Sequence, residues 1–254
     1  GVCNYSYHYL KVCVKIYLIC NLFMERIPEP ELMQSRKQVE SYIEGDFSKG
    51  EKEFIEFINA YLVSNEINLS SDDLIVDLGC GPGNITEKIS LNWPDVKVIG
   101  IDGSNEMINE AQSRKNLSKN KQSYKNIKYV CADIKYLELN KISSKTNVTL
   151  LVSNSLIHHI NNIDHFFDCI TNLSTKNTIN FHKDLKRPKD EKTALKLKQE
   201  CNLIYNNTLT NDYYASLKAS YKKNELLSII SERKLSSLDV IEDGDKYLIL
   251  YGRV

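Results

Sequence analysis

Residues 74–84 read LIVDLGCGPGN, an apolar run that ends in an acid and is followed by three glycines at alternate positions. The next residues, 85–89, carry apolar side chains one helical turn apart. The stretch therefore predicts a buried strand, a tight turn and a helix. Glycine adopts positive φ and adds no side chain, so a nucleoside-sized ligand can lie directly against the backbone of such a turn.

Three kinds of ligand commonly bind a glycine-rich turn of this type. The nucleoside triphosphate loop needs a Lys-Ser/Thr pair after its last glycine, but Gly83 is followed by Asn84 and Ile85. The dinucleotide fingerprint, counted from Gly79, needs Gly or Ala at position 84, but Asn84 stands there. Asp77 would repel a pyrophosphate, whereas it would attract the ammonium and sulfonium groups of S-adenosylmethionine. The turn therefore favours S-adenosylmethionine, which carries no phosphate.

Two further acids follow the next predicted strands. Asp102 ends the second apolar run, roughly 20 positions after Gly79, where an acid can accept both hydroxyls of a ribose. Asp133 ends the third run and is placed to accept from an adenine amino group, with the Ile134 N–H beside it as a donor to the ring. Each acid has a second interpretation, since Asp102 could cap the helix that begins at Ser104 and Asp133 could be a turn residue. Acids after three successive strands indicate a site for S-adenosylmethionine.

Four motifs stand in order along the chain: VDLGCGPG at residues 76–83, DGS at 102–104, ADI at 132–134 and SNSLIHH at 153–159. Together they resemble the class I S-adenosylmethionine-dependent methyltransferases, over about residues 70 to 254. The resemblance implies a Rossmann-like fold and S-adenosylmethionine as the cofactor. The predicted cofactor contacts are Asp77, Gly79, Cys80, Gly81, Asp102, Gly103, Met107, Asp133, Ile134 and Asn154.

Two other segments, MERIPEPELM at residues 24–33 and KDLKRP at 183–188, resemble a bacterial, often cyanobacterial, subgroup of these enzymes without an assigned substrate. The closer resemblance makes the prediction of the fold more specific, but it does not identify the reaction. Because it starts at Met24, residues 1–23 are predicted to be an upstream or non-native segment. A signal peptide or a membrane-anchoring segment is the alternative, since basic residues precede an apolar run there, although no small-x-small cleavage site follows.

Predicted strands alternate with helices from residue 71 to the end, which indicates a mostly parallel sheet with helices on both faces. An Asp-Gly-Asp turn at residues 243–245 predicts a closing hairpin. The fold predicted is α/β, a Rossmann-like methyltransferase sandwich with a seven-stranded sheet and an antiparallel last strand. Residues 24–70 predict a helical N-terminal cap. Residues 184–219, charged and then tyrosine-rich, predict a helical lid over the strand ends, or else a peripheral helical pair.

The composition narrows the class of acceptor. Lys and Arg together number 33, as do Asp and Glu, so the formal net charge is zero, unlike a dedicated nucleic-acid binder. Basic residues cluster between positions 114 and 128, but Asn and Ser accompany them, which favours a solvated helix end and loop. The sequence therefore predicts a small-molecule acceptor, with no nucleic-acid or membrane partner, and leaves the oligomeric state open.

The cysteines indicate the compartment. The chain has seven, an odd number, and no C-x-x-C, so it predicts neither a disulfide framework nor a zinc site. Cys80, Cys131 and Cys169 fall in predicted core elements, where a free cysteine behaves as a small hydrophobe. This usage predicts a cytoplasmic protein.

The implied reaction is an in-line displacement at the sulfonium methyl, which needs alignment and, in principle, no metal. Asn154, at the end of the fourth predicted strand, is expected to face the methyl group. Ser155 follows it in place of the Pro of the Asn/Asp-Pro-Pro-Tyr/Phe motif, which disfavours DNA and protein-glutamine substrates. Small-molecule O-, N-, S- and C-methylation stay open.

Histidine supplies the candidate base. His158 and His159 are adjacent, so at most one is expected to face the acceptor, and His159 is the predicted proton acceptor. Alternatively, His159 caps the next helix or packs on the cofactor. Arg187 could bind an acceptor carboxylate or be a surface charge. Two other functions remain alternatives: a non-catalytic S-adenosylmethionine-binding regulatory or assembly protein, and a tRNA or protein methyltransferase.

Overall fold

A computed structural model describes residues 24–30, 36–117, 122–143 and 147–254. The prediction for residues 1–23 lies outside the described residues and stays a prediction. The helices of the described part are α1 (Arg36–Glu44), α2 (Ser48–Ser64), α3 (Asn84–Asn92), α4 (Asn105–Asn116), α5 (Leu139–Ile142), α6 (Ile163–Leu173), α7 (Glu191–Asn202), α8 (Asn207–Ala219) and α9 (Lys223–Glu232). The strands are β1 (Leu74–Leu78), β2 (Lys97–Asp102), β3 (Ile127–Cys131), β4 (Leu150–Asn154), β5 (Ile179–Leu185), β6 (Leu238–Asp243) and β7 (Tyr247–Gly252).

The strands form one sheet in the order β3-β2-β1-β4-β5-β7-β6. Neighbours from β3 to β5 are parallel, and β7 is antiparallel to β5 and to β6. The predicted seven-stranded sheet with an antiparallel last strand is therefore confirmed. The strand order reverses between β1 and β4, and at such a point the carboxyl ends of parallel strands open onto a crevice.

Helices cover both faces of the sheet because its central strands are apolar on both sides. On one face, Phe54 of α2 and Ile89 of α3 pack in a buried cluster with Ile75 of β1. On the other face, Phe166 of α6 and Leu226 of α9 belong to a second buried cluster. This α/β/α layering confirms the predicted fold class. None of the helices described is both long enough and apolar enough to cross a membrane.

The third strand differs from its prediction because it lies at the edge of the sheet. Cys131, predicted as a core residue, is exposed, whereas Cys80 and Cys169 are buried as predicted. β3 ends at Cys131, two residues before the predicted end at Asp133. The Asp133 carboxylate instead accepts the Lys135 N–H at 2.9 Å and begins a short 3₁₀ turn. An edge strand has a neighbour on one side only, so its last residues lack cover.

The fifth strand is longer than predicted. The apolar pattern predicts its end at His182, but β5 continues to Leu185, which pairs with Tyr247 of β7. Lys183 and Asp184 are 1% and 4% exposed, so they interrupt the apolar pattern without leaving the sheet. The first two residues assigned to the lid therefore belong to the sheet. Helices α7 and α8 follow, and α8 packs on both α7 and α1.

Candidate active site

The turn after β1 is left-handed at all three of its glycines, with φ of 65° at Gly79, 53° at Gly81 and 93° at Gly83. A Cβ on Gly79 would lie 2.7 Å from the Leu156 side chain, and one on Gly83 would lie 2.2 Å from the Tyr129 hydroxyl. A Cβ on Gly81 would meet no atom within 4 Å. Gly79 and Gly83 are therefore needed for packing, while Gly81 leaves open space in front of the turn.

Asp102 joins this turn to the end of β2. The N–H of Gly81 donates to Asp102 Oδ2 at 2.9 Å, and the N–H of Ser104 donates to Oδ1 at 2.8 Å. Burial raises the pKa of Asp102, and the two backbone hydrogen bonds oppose that rise. Asp102 thus supports the start of α4, the alternative role expected from the sequence. A carboxylate offers about four lone-pair sites, so two further hydrogen bonds can still reach it.

Asp77 and Cys80 lie behind the turn. The Asp77 side chain is buried, its Oδ2 accepts the Thr86 hydroxyl at 2.6 Å, and burial raises its pKa to about 7. The Cys80 N–H donates to the Ile101 carbonyl at 2.9 Å. Neither residue lines the cavity in front of the turn. Their predicted contact with a cofactor stays a prediction, and the role that the structure gives them is to hold the turn against β2 and α3.

A cavity of about 480 Å³ opens at the point where the strand order reverses. The carboxyl ends of the parallel strands form its floor, and side chains of α1, α7 and α8 cover it. The predicted cofactor residues on its wall are Gly79, Gly81, Asp102, Gly103, Met107, Asp133, Ile134 and Asn154. The predicted catalytic His159 lines the same cavity. The fold thus brings together residues from four separate motifs of the sequence.

The end of the cavity next to α1 and α8 is lined by aromatic rings that are not among the predicted site residues. The Tyr42 and Phe47 rings stack with their centroids 4.9 Å apart, and Phe47 and Tyr205 stack at 5.8 Å. Tyr213 and Tyr247 also line this end. Tyr42, Tyr213 and Tyr247 lie on α1, α8 and β7, whereas Phe47 and Tyr205 lie in connections between helices, so no local motif joins these residues. The richness of residues 184–219 in tyrosine was the only signal.

Two lysines at this end are paired with acids. Lys183 is 1% exposed, its Nζ lies 2.6 Å from Asp243 Oδ2, and it also lies 4.6 Å from the centre of the Tyr247 ring. The Nζ of Lys246 lies 3.6 Å from Glu200 Oε2. The positive charges that reach the aromatic end are therefore already compensated by neighbouring carboxylates.

The two adjacent histidines both line the cavity and belong to a 3₁₀ turn that follows β4. The expectation that at most one of them faces the acceptor stays a prediction. His158 Nδ1 pairs with the Asp184 carboxylate. Burial lowers the pKa of His158, but Asp184 and Glu29 outweigh it, so the pKa is raised. Burial and the His158 charge lower the pKa of His159 to about 3.

Arg187 lies away from the cavity. Its side chain is buried, with 5% of the residue exposed. Its Nε donates to the Met24 carbonyl and its Nη1 to the Ser220 carbonyl, both at 3.0 Å, and its Nη2 pairs with Glu225. The prediction that Arg187 binds an acceptor carboxylate is wrong, and it is not a surface charge either. Its bonds instead fasten the segment at Met24 to the start of α9.

Comparison with known proteins identifies the family of the chain. A family model described as a methyltransferase domain matches residues 69–233. The match covers more than half of the chain, so the chain belongs to this family. The resemblance to the class I methyltransferases is therefore confirmed.

Curated relatives match only locally. The trans-aconitate 2-methyltransferase of Afipia carboxidovorans is 52% identical over 40 residues, which is 16% of this chain and 16% of that protein. The trans-aconitate 2-methyltransferase of Yersinia pestis is 48% identical over 48 residues, 19% of either chain. The chain thus matches less than a fifth of the length of these relatives.

Solved structures share the fold over most of the chain. The plantazolicin methyltransferase BpumL, in complex with a pentazolic desmethylPZN analog and SAH, has a TM-score of 0.65 at 15% identity, and the match covers 86% of this chain and 91% of that chain. The magnesium protoporphyrin IX methyltransferase ChlM from Synechocystis PCC 6803, with bound SAH, has a TM-score of 0.53 at 15% identity, and the match covers 83% and 89%. At such identity, the likeness concerns the fold.

Proposed function

We propose that the protein transfers a methyl group from S-adenosylmethionine to a small-molecule acceptor. The observation that carries this proposal is the fixed Asp102 carboxylate, which lines the cavity beside the open space at Gly81. A carboxylate held in this way is prepared to accept two hydroxyls of a ribose. Membership of the methyltransferase domain family and the SAH bound to structures of the same fold support the choice of cofactor.

The remaining predicted contacts can serve the other parts of the cofactor. Asp133 would accept the adenine amino group, and Met107 and Ile134 would contact the faces of the ring. The bare backbone at Gly81 leaves room for the methionine portion. Asn154 stands at the carboxyl end of β4, across the reversal of strand order from β1, where it would face the methyl group.

The reaction needs one bond to form as another breaks. The acceptor atom attacks the methyl carbon, the carbon–sulfur bond breaks, and the sulfur keeps the electron pair, which yields S-adenosylhomocysteine. If the acceptor atom carries a proton, that proton is lost to a base or to water. Since the pKa of His159 is lowered to about 3, this residue would hold such a proton poorly at neutral pH. Alignment of the two reactants is therefore the main contribution that the geometry supports.

The wall of the cavity favours a planar, largely apolar acceptor. Tyr42, Phe47 and Tyr205 present stacked rings, and aromatic rings bind flat apolar groups by offset or edge contacts. The two lysines at this end, Lys183 and Lys246, are each paired with an acid. A tricarboxylate such as trans-aconitate would need unpaired cations, so we place an aromatic or heteroaromatic acceptor ahead of it.

Titration calorimetry with S-adenosylmethionine tests the cofactor. In Asp102→Ala, two hydrogen bonds to a charged acceptor are lost at about 1.5–3 kcal/mol each, so binding is expected to weaken about 100-fold or more. The matched control is Asp95→Ala, because Asp95 is exposed and lies outside the cavity. If folded wild-type protein does not bind S-adenosylmethionine, or if Asp102→Ala binds as well as Asp95→Ala, the proposed site is wrong.

A second experiment tests transfer. The protein and S-adenosylmethionine with a labelled methyl group are incubated in three separate reactions. One contains pooled small metabolites, one total RNA and one total cellular protein. We expect label in the small-molecule pool and expect aromatic compounds to carry it. Label confined to RNA or protein would contradict the acceptor class. Binding of the cofactor without transfer to any pool would favour the non-catalytic alternative.

A further inference from the structure

Three ligand atoms meet where His158 and His159 line the cavity. Glu29 Oε1 lies 3.6 Å from His158 Nε2 and 3.2 Å from His159 Nδ1. The three atoms all lie within 4.8 Å of one another. The side chains are 10%, 3% and 17% exposed, so water screens this group only weakly.

Neighbouring groups determine which nitrogen of each histidine carries a proton. His158 Nδ1 pairs with Asp184, so a neutral His158 keeps its proton there and turns a lone pair toward Glu29. His159 bonds to the backbone of Pro30, which has a carbonyl but no N–H. His159 Nδ1 is buried and has no hydrogen-bond partner, so it is Nε2 that donates to Pro30. His159 Nδ1 therefore carries the lone pair of a neutral ring, and it lies 3.2 Å from Glu29 Oε1 without a hydrogen bond to it.

Two buried ring nitrogens thus lie close to a carboxylate oxygen that already accepts the Ser216 hydroxyl at 3.0 Å, an arrangement that a cation between them would stabilise. A proton between His158 and Glu29 would satisfy two of the atoms, but His159 Nδ1 would still be left without a partner. A single metal ion would satisfy all three at once. We propose that Glu29, His158 and His159 bind a divalent transition-metal ion of the Zn²⁺ type.

The distances suit such an ion. Tetrahedral Zn²⁺ with ligands at about 2.0–2.1 Å holds those ligands about 3.3–3.4 Å apart. The two separations from Glu29 Oε1, 3.2 Å and 3.6 Å, lie on either side of that value. Asp184 behind His158 is the carboxylate partner that commonly orients a metal-bound imidazole. Nitrogen and carboxylate ligands together suit zinc better than magnesium or calcium.

The metal would have a functional position. Because His158 and His159 both line the cavity, its fourth coordination position would face the space proposed for the acceptor. It could there hold a hydroxyl or carboxylate of that molecule. The sequence predicts no metal site because Glu29 is far from the two histidines in the chain, and its approach depends on the bonds of Met24 and Ile27 to Lys189 and Lys218.

Cobalt titration tests the proposal. Metal-free protein is titrated with Co²⁺, which has strong visible bands in tetrahedral sites, and Zn²⁺ is then added to displace it. We expect one equivalent to bind to wild type and to His165→Gln, a variant in a histidine outside the cluster. Glu29→Gln and His159→Gln are expected to bind at least about 100-fold more weakly, and Asp184→Asn about 10–100-fold more weakly. Thiolate binding elsewhere would be common to all variants.

The proposal is overturned if wild type gains no tetrahedral bands, or if the double variant Glu29→Gln/His159→Gln binds Co²⁺ as tightly as wild type. A proton as the only occupant would give the first of these results. Circular dichroism shows whether each variant is folded. Calorimetry with S-adenosylmethionine in the presence of a chelator tests cofactor binding without the metal, so a failure of the metal proposal is distinguished from a failure of the cofactor proposal. Loss of metal binding with cofactor binding retained would support the metal site.

Discussion

Replacing Asp77 by Asn tests how strongly the fold depends on the charge of this acid. Asp77 is 1% exposed at the end of β1, and the Thr86 hydroxyl donates to its Oδ2. Asn has nearly the same shape and keeps an oxygen that can accept from Thr86. The substitution therefore removes the ionisation and leaves the packing and the hydrogen bond in place.

The magnitude follows from the pKa. Burial raises the pKa of Asp77 from its ordinary value of 3.8 to about 7. Between those values the folded protein holds a proton that the unfolded chain has released, so the free energy of unfolding falls as the pH rises through this window. A difference of about 3 pKa units at 1.36 kcal/mol each amounts to about 4 kcal/mol, the full loss being reached above pH 7. Asp77→Asn lacks this contribution.

Urea unfolding of both proteins at several pH values between about 4 and 8 measures the effect. We expect similar stability near pH 4, where Asp77 is protonated, and a growing advantage of Asp77→Asn up to about 4 kcal/mol at pH 8. Asp95→Asn, in an exposed acid, is expected to follow wild type throughout. The reasoning is refuted if Asp77→Asn shows the same pH dependence as wild type or is less stable at pH 8.

Two further substitutions separate ligand binding from folding. Gly81→Ala places a Cβ in the open space of the cavity at a positive φ, so we expect a loss of about 1–2 kcal/mol in stability. The added methyl group should also lower the affinity for S-adenosylmethionine in calorimetry. Unchanged affinity would contradict the assignment of this space to the cofactor. Arg187→Met leaves Glu225 and two backbone carbonyls without their donor, so the free energy of unfolding measured in urea is expected to fall by about 3–5 kcal/mol. A fall of less than about 1 kcal/mol would mean that water replaces these hydrogen bonds.

Local patterns predicted most of the fold. The helix after Asp102 begins as predicted at Ser104, because the Ser104 side chain caps it and accepts the Met107 N–H. The acid at Asp102 and the amide at Asn154 end their strands as predicted. Such features depend on residues that are close in the chain, and a single sequence contains that information.

The misassigned features depend on partners that are distant in the chain. Lys183 is compatible with a buried strand because Asp243, on the closing hairpin, neutralises it. Arg187 is buried because Glu225 pairs with it. The aromatic end of the cavity and the approach of Glu29 to His158 likewise join elements that no spacing rule connects. These contacts exist only after the sheet and the covering helices have assembled.

The exposed position of Cys131 at the edge of the sheet has a practical consequence. Its Sγ lies 3.8 Å from the carbonyl of Gly103, a residue of the cavity wall, and Cys80, Cys169 and Cys201 are buried. With Cys3, Cys13 and Cys20 changed to serine, an environment-sensitive dye would attach at one place beside the proposed ribose pocket. The chain thus provides a fluorescence reporter of ligand occupancy, with which compound collections can be screened before any methyl acceptor is identified.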